Sequence, residues 1–396
     1  MIHRLAVLLV IWVCASEQAA PPPAPLPLGP AREIAAGVRH YRLTDGSLVD
    51  TGGPIVVHAL RLDASLVDLT TDLALGDRQG RGTVADAVRR RGAIAGINAG
   101  FFNLANGDPA GPLRIDGALV SHSTLTRGAA AILHRRGRVA VRVDRVWVGL
   151  ALELLGPGRR MTVPLNGVDT TRTFGGLMVY TPRYGATTGT GQTGTEWILE
   201  HKAGDGPRAS YRVVSRAQGN STIPARGLVL SHGGAPPASL AGLTIGRSVR
   251  IVERWAPASG RHADDWRAAD DVVNGAGLLV RDGKAVGEWV EERLAESFLG
   301  RHPRTIIGAD RAGDVWLVTV DGRQPGYSLG MTLLETQRLA LSLGLVEALN
   351  LDGGGSTTMV VGSDVVNRPS DALGPRSVSD VLLVLPRPVP QPRAGR

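Results

Sequence analysis

The stretch that most constrains the fold is "VWLVTVDGRQPGYSLGMTLLETQRLALSLGLVEALNLDGGGSTTMV". It opens on an almost unbroken apolar run, Val315 to Val320, of the kind that forms a strand buried on both faces. Thr332 and Glu335 have the spacing of a capping box, a helix follows, and Gly344 stops it. A second apolar stretch then runs into Asp352. Strand, helix, strand in that order is a crossover, which makes the two strands parallel. Parallel strands end on one rim, so Asp321 and Asp352 are expected together there, where ligands of open α/β sheets bind.

"TVADAVRRRGAIAGIN" repeats this grammar: Thr83 and Asp86 start a helix, Gly92 stops it, and a strand runs into Asn98. The two units are expected in one α/β layer. Asp-Gly turns at Asp116-Gly117 and Asp282-Gly283, and a longer loop in "IGADRAGDVW", add hairpins and make the sheet mixed. From 156 to 260 the texture changes to short strands between Gly, Thr and Pro-rich turns. The 52 glycines and 25 prolines among 396 residues, against 4% aromatics, suit short strands and turns better than a helical bundle. The expected class is α/β (α+β mixed): a mixed β-sheet with flanking helices and a β-rich inserted subdomain.

"MIHRLAVLLVIWVCASEQAA" has a basic start, a short apolar run and small residues after it, the pattern of a secretory signal peptide. The run from Leu5 to Val13 is too short to span a bilayer, so no transmembrane segment is expected once the peptide is cut. The protein is expected to be secreted or associated with the cell envelope. A lipid anchor on Cys14 is a minor option, since "IWVC" lacks the small residues that should precede it. Cys14 is the only cysteine, so neither a thiolate nucleophile nor a Cys-based zinc site is expected. The expected organisation is signal peptide 1–20, Pro-rich linker 21–35, first part of the main domain 36–155, β-rich insertion 156–260, second part 261–386, and a disordered tail 387–396.

The net charge of +8 rests almost wholly on arginine, and the arginines are scattered. No dense basic run with interleaved aromatics exists, which argues against nucleic acid as a partner. "GTGQTG", Gly189 to Gly194, fits a dinucleotide pattern but lacks the strand before it and the helix after it. "GGGST" is no nucleophile elbow, because Thr358 stands where glycine is needed.

The chemistry is expected at "NLDGGGSTT". Gly353, Gly354 and Gly355 at a strand end let backbone N–H groups form an anion-binding concavity. Ser356 and Thr357 add hydroxyls, and Asn350 has the parity of Asp352. A turn alone would need one glycine. Asp321 in "VDGR" is by itself a turn residue; only the shared rim raises it. Glu335 has a structural role as capping partner and ranks second. Asn98 could hold a sugar hydroxyl, with Phe101 and Phe102 as core residues beside it. His302 and Arg304 in "HPRTIIG" offer a phosphate fork.

"GINAGFFN", "GDPAGPLRIDGALV", the long stretch from His302 to Val360, "VNRPSD" and "RSVSDVLLV" occur in this order and resemble the phosphodiester glycosidase family. The similarity covers roughly 80–150 and 265–385. It implies hydrolysis of the bond between a sugar's anomeric carbon and a phosphodiester oxygen, with a carbohydrate phosphodiester as partner. By motif it points to Asn98, Arg304, Asp321, Glu335, Asn350, Asp352, Gly353 to Gly355 and Ser356 in the cleft, with Arg376 and Ser379 behind. "RSVSD" departs from the family in Ser377 and Asp380, where relatives often carry Pro and Asn. The carboxylate role falls to Asp352 or Asp321. No cofactor is implied, and a divalent cation at the carboxylate rim stays open, as do the oligomeric state and the natural sugar. Rival readings are a non-catalytic polysaccharide or wall-binding protein, and a phosphodiesterase cutting the phosphorus side of the same linkage.

Overall fold

A computed structural model describes residues 23–156, 161–287 and 289–387. The expected signal peptide, Cys14 and all but the first residue of the expected tail lie outside the described residues. Strands hold 44% of the residues and helices 11%, with large sheets and a nearly closed barrel. The expected α/β (α+β mixed) class fits only loosely, because the fold is mostly β. Among the described residues only two helices exceed six residues, Val84–Arg91 and Leu333–Ser342. Tight turns return the chain instead: Asp116-Gly117 and Asp282-Gly283 both have positive φ and close antiparallel hairpins.

The eight-stranded sheet runs Arg32–Ala35, Val38–Leu43, Val57–Leu62, Val315–Val320, Arg304–Asp310, Leu345–Asn350, Leu278–Arg281 and Lys284–Ala285. Val315–Val320 and Leu345–Asn350 are both antiparallel to Arg304–Asp310, which lies between them. They are thus parallel to each other, as the crossover requires, with one strand interposed. Leu317 faces one core while Trp316 and Val318 face another, which explains the unbroken apolar run. The first of these cores is shared by all three sheets: Leu60, Ile307 and Leu349 from this one, Ile97 and Leu382 from the second, Ile132 and Val141 from the third. Each such side chain removed from water contributes about 1.5–3 kcal/mol.

The second sheet has five strands, in the order Asp364–Val365, Met359–Val361, Ala95–Asn98, Asp380–Pro386 and Val67–Leu73. The two helix-to-strand units therefore enter different sheets, a correction to the single layer expected. Their caps are as the spacing implied. Thr83 accepts from the Asp86 N–H and Gly92 takes φ +60°, while Thr332 and Glu335 form a complete capping box. Local capping chemistry does not decide which sheet the next strand joins.

The third sheet is built on one 18-residue strand, Arg138–Leu155. Arg127–Arg135 pairs along one edge, and Ser248–Pro257 along the other, from Ser248 opposite Leu155 to Pro257 opposite Val146. The β-rich stretch within 156–260 thus continues a sheet begun before it. The expected linker also reaches into the fold: Arg32–Ala35 is the edge strand named above, and the Leu26 N–H donates to Ser342 O at 2.9 Å. No helix among the described residues is long and apolar enough to cross a membrane.

Candidate active site

The chain leaves the eight-stranded sheet at Asn350 and enters the five-stranded one at Met359, and the glycine segment is the passage between them. Backbone bonds stitch it to both sides: Leu351 N–H to Thr305 O (2.8 Å), Asp352 N–H to Ala99 O (2.9 Å) and Asn98 N–H to Thr358 O (3.2 Å). Asn98 clamps the crossing. Its Nδ2 donates to the Asp352 carbonyl (2.6 Å), and its Oδ1 accepts from Thr305 Oγ1 (2.9 Å) and the Thr358 N–H (3.1 Å). Expected on a sugar hydroxyl, Asn98 instead holds the backbone of Asp352.

Each glycine has its own reason. A Cβ on Gly353 would lie 2.6 Å from the Pro303 carbonyl oxygen, and Gly354 has φ +60° with the Arg323 guanidinium 3.1 Å from its Cβ position. At Gly355 a Cβ would collide with Arg376 and Asp371. The expected amide cradle is largely used up, since the N–H groups of Gly354, Ser356 and Thr357 donate to Pro303 O, Gly353 O and Gly354 O. Gly354 and Gly355 matter because they admit guanidinium groups to the turn, and Gly353 because it admits the Pro303 carbonyl.

Beside this turn lies a cavity of about 440 Å³, lined by Asp352, the three glycines, Arg304, Arg323 and Arg376. Phe101 and Phe298, ring centroids 5.8 Å apart, add an aromatic wall. Arg304 is buried, and its donors reach the carbonyls of Met331 (3.0 Å), Phe298 (2.9 Å) and Gly300 (2.6 Å). Burial first, and Arg323 second, lower its pKa to about 10, so it stays cationic at neutral pH. It forms no salt bridge among the described residues, nor does Arg323. Arg376 is paired with Asp371 at 2.8 Å.

Arg323 donates to His302 Nδ1 (3.1 Å), and His302 Nε2 lies 2.7 Å from Ser297 O. A carbonyl only accepts, so His302 carries its proton on Nε2 and is neutral. Burial, with the two guanidiniums Arg323 and Arg304 outweighing the Ser297 contact, holds its pKa below the usual value.

Asp352 is half-buried. Burial pushes its carboxyl up to about 6, against the pull of the Ser356 hydroxyl, Arg376 and the Gly353 N–H. A second acid, marked in the sequence only as a departure from the family and not as a site residue, lies close by. Asp380 is fully buried; its Oδ1 accepts from the Gly100 N–H (2.7 Å) and its Oδ2 has no partner among the described residues. Ala99 connects the two, donating to Asp380 O (3.1 Å) while accepting from the Asp352 N–H. Burial, joined by the charge of Asp352 and opposed by the Gly100 N–H, raises Asp380 to about 7. Neighbouring Asn274 binds the Phe101 N–H through Oδ1 (2.9 Å) and leaves Nδ2 unpartnered.

The other expected residues are placed elsewhere. Asp321 does not line the cavity: its carboxylate accepts from Tyr327 Oη (3.1 Å), Asn367 Nδ2 (2.9 Å) and the Arg368 N–H (3.0 Å), and its carbonyl from Ser328 Oγ (2.6 Å). Glu335 accepts from Arg301 through both oxygens (2.7 and 2.8 Å), from the Asp50 N–H (2.8 Å) and from the Thr332 N–H (2.8 Å). Asn350 turns its amide to Ala276 O and Leu351 O, both at 2.9 Å. Thr357 gives its carbonyl to Asn367 (3.1 Å), and the buried hydroxyls of Ser356 and Ser379 act on the carboxyls of Asp352 and Asp380 respectively. Arg323 was legible as the residue closing "VDGR", and Asp380 as the acid closing "RSVSD". Among the described residues no three or more His, Cys, Asp or Glu side chains are grouped to hold a metal ion.

Several known proteins share this chain's features. Over 84 residues it is 39% identical to the prophage-derived protein YomE of Bacillus subtilis, which is 21% of this chain and 13% of that one. Over 87 residues it is 39% identical to N-acetylglucosamine-1-phosphodiester alpha-N-acetylglucosaminidase of Bos taurus, 20% of this chain and 16% of the relative. The chain thus spans 13–16% of the length of these relatives. Its fold matches a Synechocystis hypothetical protein with a TM-score of 0.72 at 24% identity, covering 90% of this chain and 64% of the other. A Burkholderia pseudomallei protein described as exported matches with a TM-score of 0.66 at 25% identity, covering 85% and 75%. The family model for phosphodiester glycosidase matches residues 208–385, starting inside the β-rich stretch and leaving out 80–150. Residues 208–385 therefore match the phosphodiester glycosidase family, the one the chain's motifs resemble.

Proposed function

We propose that the protein is a secreted hydrolase that cleaves the glycosidic bond of sugar-1-phosphodiesters, such as N-acetylglucosamine-1-phosphodiester, in surface polysaccharides or glycoconjugates. The observation that carries this reading is the company Asp352 keeps. Its carboxyl group shares one cavity with two guanidiniums, Arg304 and Arg323, that have no salt-bridge partners among the described residues. A phosphodiester carries one negative charge, and planar guanidinium groups match its oxygens. Held there, the phosphate sets the anomeric carbon toward Asp352, and the Phe101–Phe298 wall takes the apolar face of the sugar.

In the proposed step the C1–O bond breaks and its electron pair goes to the phosphate oxygen. The charge that grows on the departing phosphomonoester meets Arg304 and Arg323. Water adds to C1 and gives a proton to Asp352, which leaves a free sugar. Phosphate is a good leaving group, so little acid assistance is required. Asn98 is a positioning residue here, since it fixes the Asp352 backbone. The family match over 208–385 supports a hydrolase of this kind, and the expected signal peptide with the exported structural neighbour supports secretion.

The test is incubation of the protein with N-acetylglucosamine-1-phosphodiester and analysis of the products. Free N-acetylglucosamine with a phosphomonoester is the expected result. Sugar phosphate with a free alcohol would make the protein a phosphodiesterase, and an unchanged but bound substrate would make it a binding protein.

A further inference from the structure

A second cavity, of about 510 Å³, lies in the β-rich region and shares no residue with the first. We propose that it is a saccharide-binding site that seats one uncharged sugar ring of a polymer against Phe174. The inference goes beyond the hydrolase reading and does not need it.

Three features of the cavity converge. The first is an aromatic surface held ready. Phe174 is 96% exposed, yet its loop is fixed by Gly175 N–H to Gly233 O (2.7 Å) and Gly233 N–H to Gly176 O (3.1 Å). Its ring lies over Gly234, where φ is +96° and a Cβ would stand 3.3 Å from the ring. A lone exposed apolar side chain needs no explanation, but one fixed over a glycine at the edge of a cavity is a platform. The C–H face of a pyranose ring is the apolar partner such a platform fits.

The second is an unanswered donor. Tyr180 lines the same cavity, its side chain is fully buried, and its hydroxyl has no hydrogen-bond partner among the described residues. Its ring is set edge-on against Tyr184 at 4.8 Å. Leaving such a group unsatisfied costs about 1–3 kcal/mol, and a ligand hydroxyl, directly or through one water, removes that cost.

The third is a floor whose charges are spent internally. Arg172 donates to Ser231 Oγ (2.9 Å) and to the carbonyls of Thr190 (3.0 Å) and Thr193 (2.6 Å), with Glu196 at 3.8 Å. Glu196 accepts from the hydroxyls of Thr188 (2.9 Å), Thr190 (2.7 Å) and Ser231 (2.8 Å). Neither ion is left to select a charged ligand. What the cavity offers is hydroxyl and carbonyl oxygen beside aromatic carbon, the balance that suits an uncharged sugar. "GTGQTG", which has no frame for a dinucleotide, supplies Thr190 and Thr193 of this lining.

Isothermal titration of the full protein with chitohexaose and with maltohexaose tests the proposal. At least one is expected to bind, Phe174→Ala to weaken that binding tenfold or more, and Tyr180→Phe about threefold. Asp352→Asn should bind as the wild type does, and Phe174→Ala should leave turnover of a small sugar-1-phosphodiester unchanged. The proposal is overturned if neither oligosaccharide binds, or if Phe174→Ala binds as tightly as the wild type. It is equally overturned if Asp352→Asn alone abolishes binding, which would move the sugar to the first cavity. None of the binding results depends on whether the protein hydrolyses anything.

Discussion

Asp352 and Asp321 follow strands that run the same way on either side of Arg304–Asp310, yet their surroundings are opposite. The Asp321 carboxylate is closed on every side by Tyr327, Asn367 and the Arg368 N–H. Asp352 opens into a cavity whose arginines outnumber its acids. Burial raises the pKa of both. A shifted acid is therefore not enough to mark a site; what separates the two is whether hydrogen-bonding capacity is left for a substrate.

The sharpest way to break that contrast is to neutralise each acid in turn. Asp352→Asn should lower kcat by a factor of about 10²–10⁴, the range for a lost acid–base group, with no loss of Tm at pH 8. Asp321→Asn should do the reverse. Its amide cannot accept all of the bonds the carboxylate accepts, so stability falls by about 1–3 kcal/mol, while kcat per folded molecule stays within about threefold. Full turnover by the first variant, or an inactive but stable second one, would exchange their roles. Glu335→Gln belongs with Asp321. It breaks the two-point contact with Arg301, and a loss of about 2 kcal/mol in a denaturant titration with unchanged kcat is expected, less than for a fully buried pair because Arg301 is partly exposed.

The arginines sharpen the comparison from the substrate side. Arg323→Met should raise KM for a sugar-1-phosphodiester by roughly tenfold, the value of one charge-assisted hydrogen bond. The same substitution should leave an uncharged glycoside of that sugar unaffected. Equal effects on both substrates would mean that Arg323 does not meet the phosphate.

Local features were legible in the sequence. The capping residues Thr83, Thr332 and Glu335, the Asp-Gly hairpins and the buried strand Val315–Val320 all follow from neighbours within a few residues. Sheet membership was not, because nothing near Asn98 tells that Ala95–Asn98 pairs with Met359–Val361 and Asp380–Pro386. For the same reason the crossover strands were expected side by side, whereas Arg304–Asp310, from the preceding hairpin, enters between them. Motif position found Asp352, Arg304 and the glycines, which do meet in one cavity. It could not distinguish Asp321, whose carboxylate is closed by Asn367 and Arg368 as well as by nearby Tyr327, or Asn98, which is held by Thr305, Asp352 and Thr358 far along the chain. Asp380 escaped because an acid opening an apolar strand looks like an exposed end, and only its burial beside Asp352 gives it meaning.

Asp380 provides the finest test, since it can alter the environment of Asp352 without touching substrate. An unfolded aspartate titrates near about 3.9, whereas Asp380 is raised to about 7 and Asp352 to about 6. Between the unfolded and folded values the native state binds protons that the unfolded chain has released. Stability contributed by these groups is complete below about pH 4 and is lost as the pH rises through 6 and 7. Asp380→Asn removes its share of that loss, so the variant should match the wild type near pH 4 and exceed its Tm at pH 8. Turnover carries a second signature. Asp352 must be ionised to accept a proton, so kcat/KM rises through about pH 6, and ionised Asp380 then repels the phosphodiester above about pH 7. The wild type should show a bell, with a few-fold decline on its alkaline side. Asp380→Asn should keep the acid limb and lose the alkaline one. Loss of the acid limb instead would make Asp380, not Asp352, the group that takes the proton.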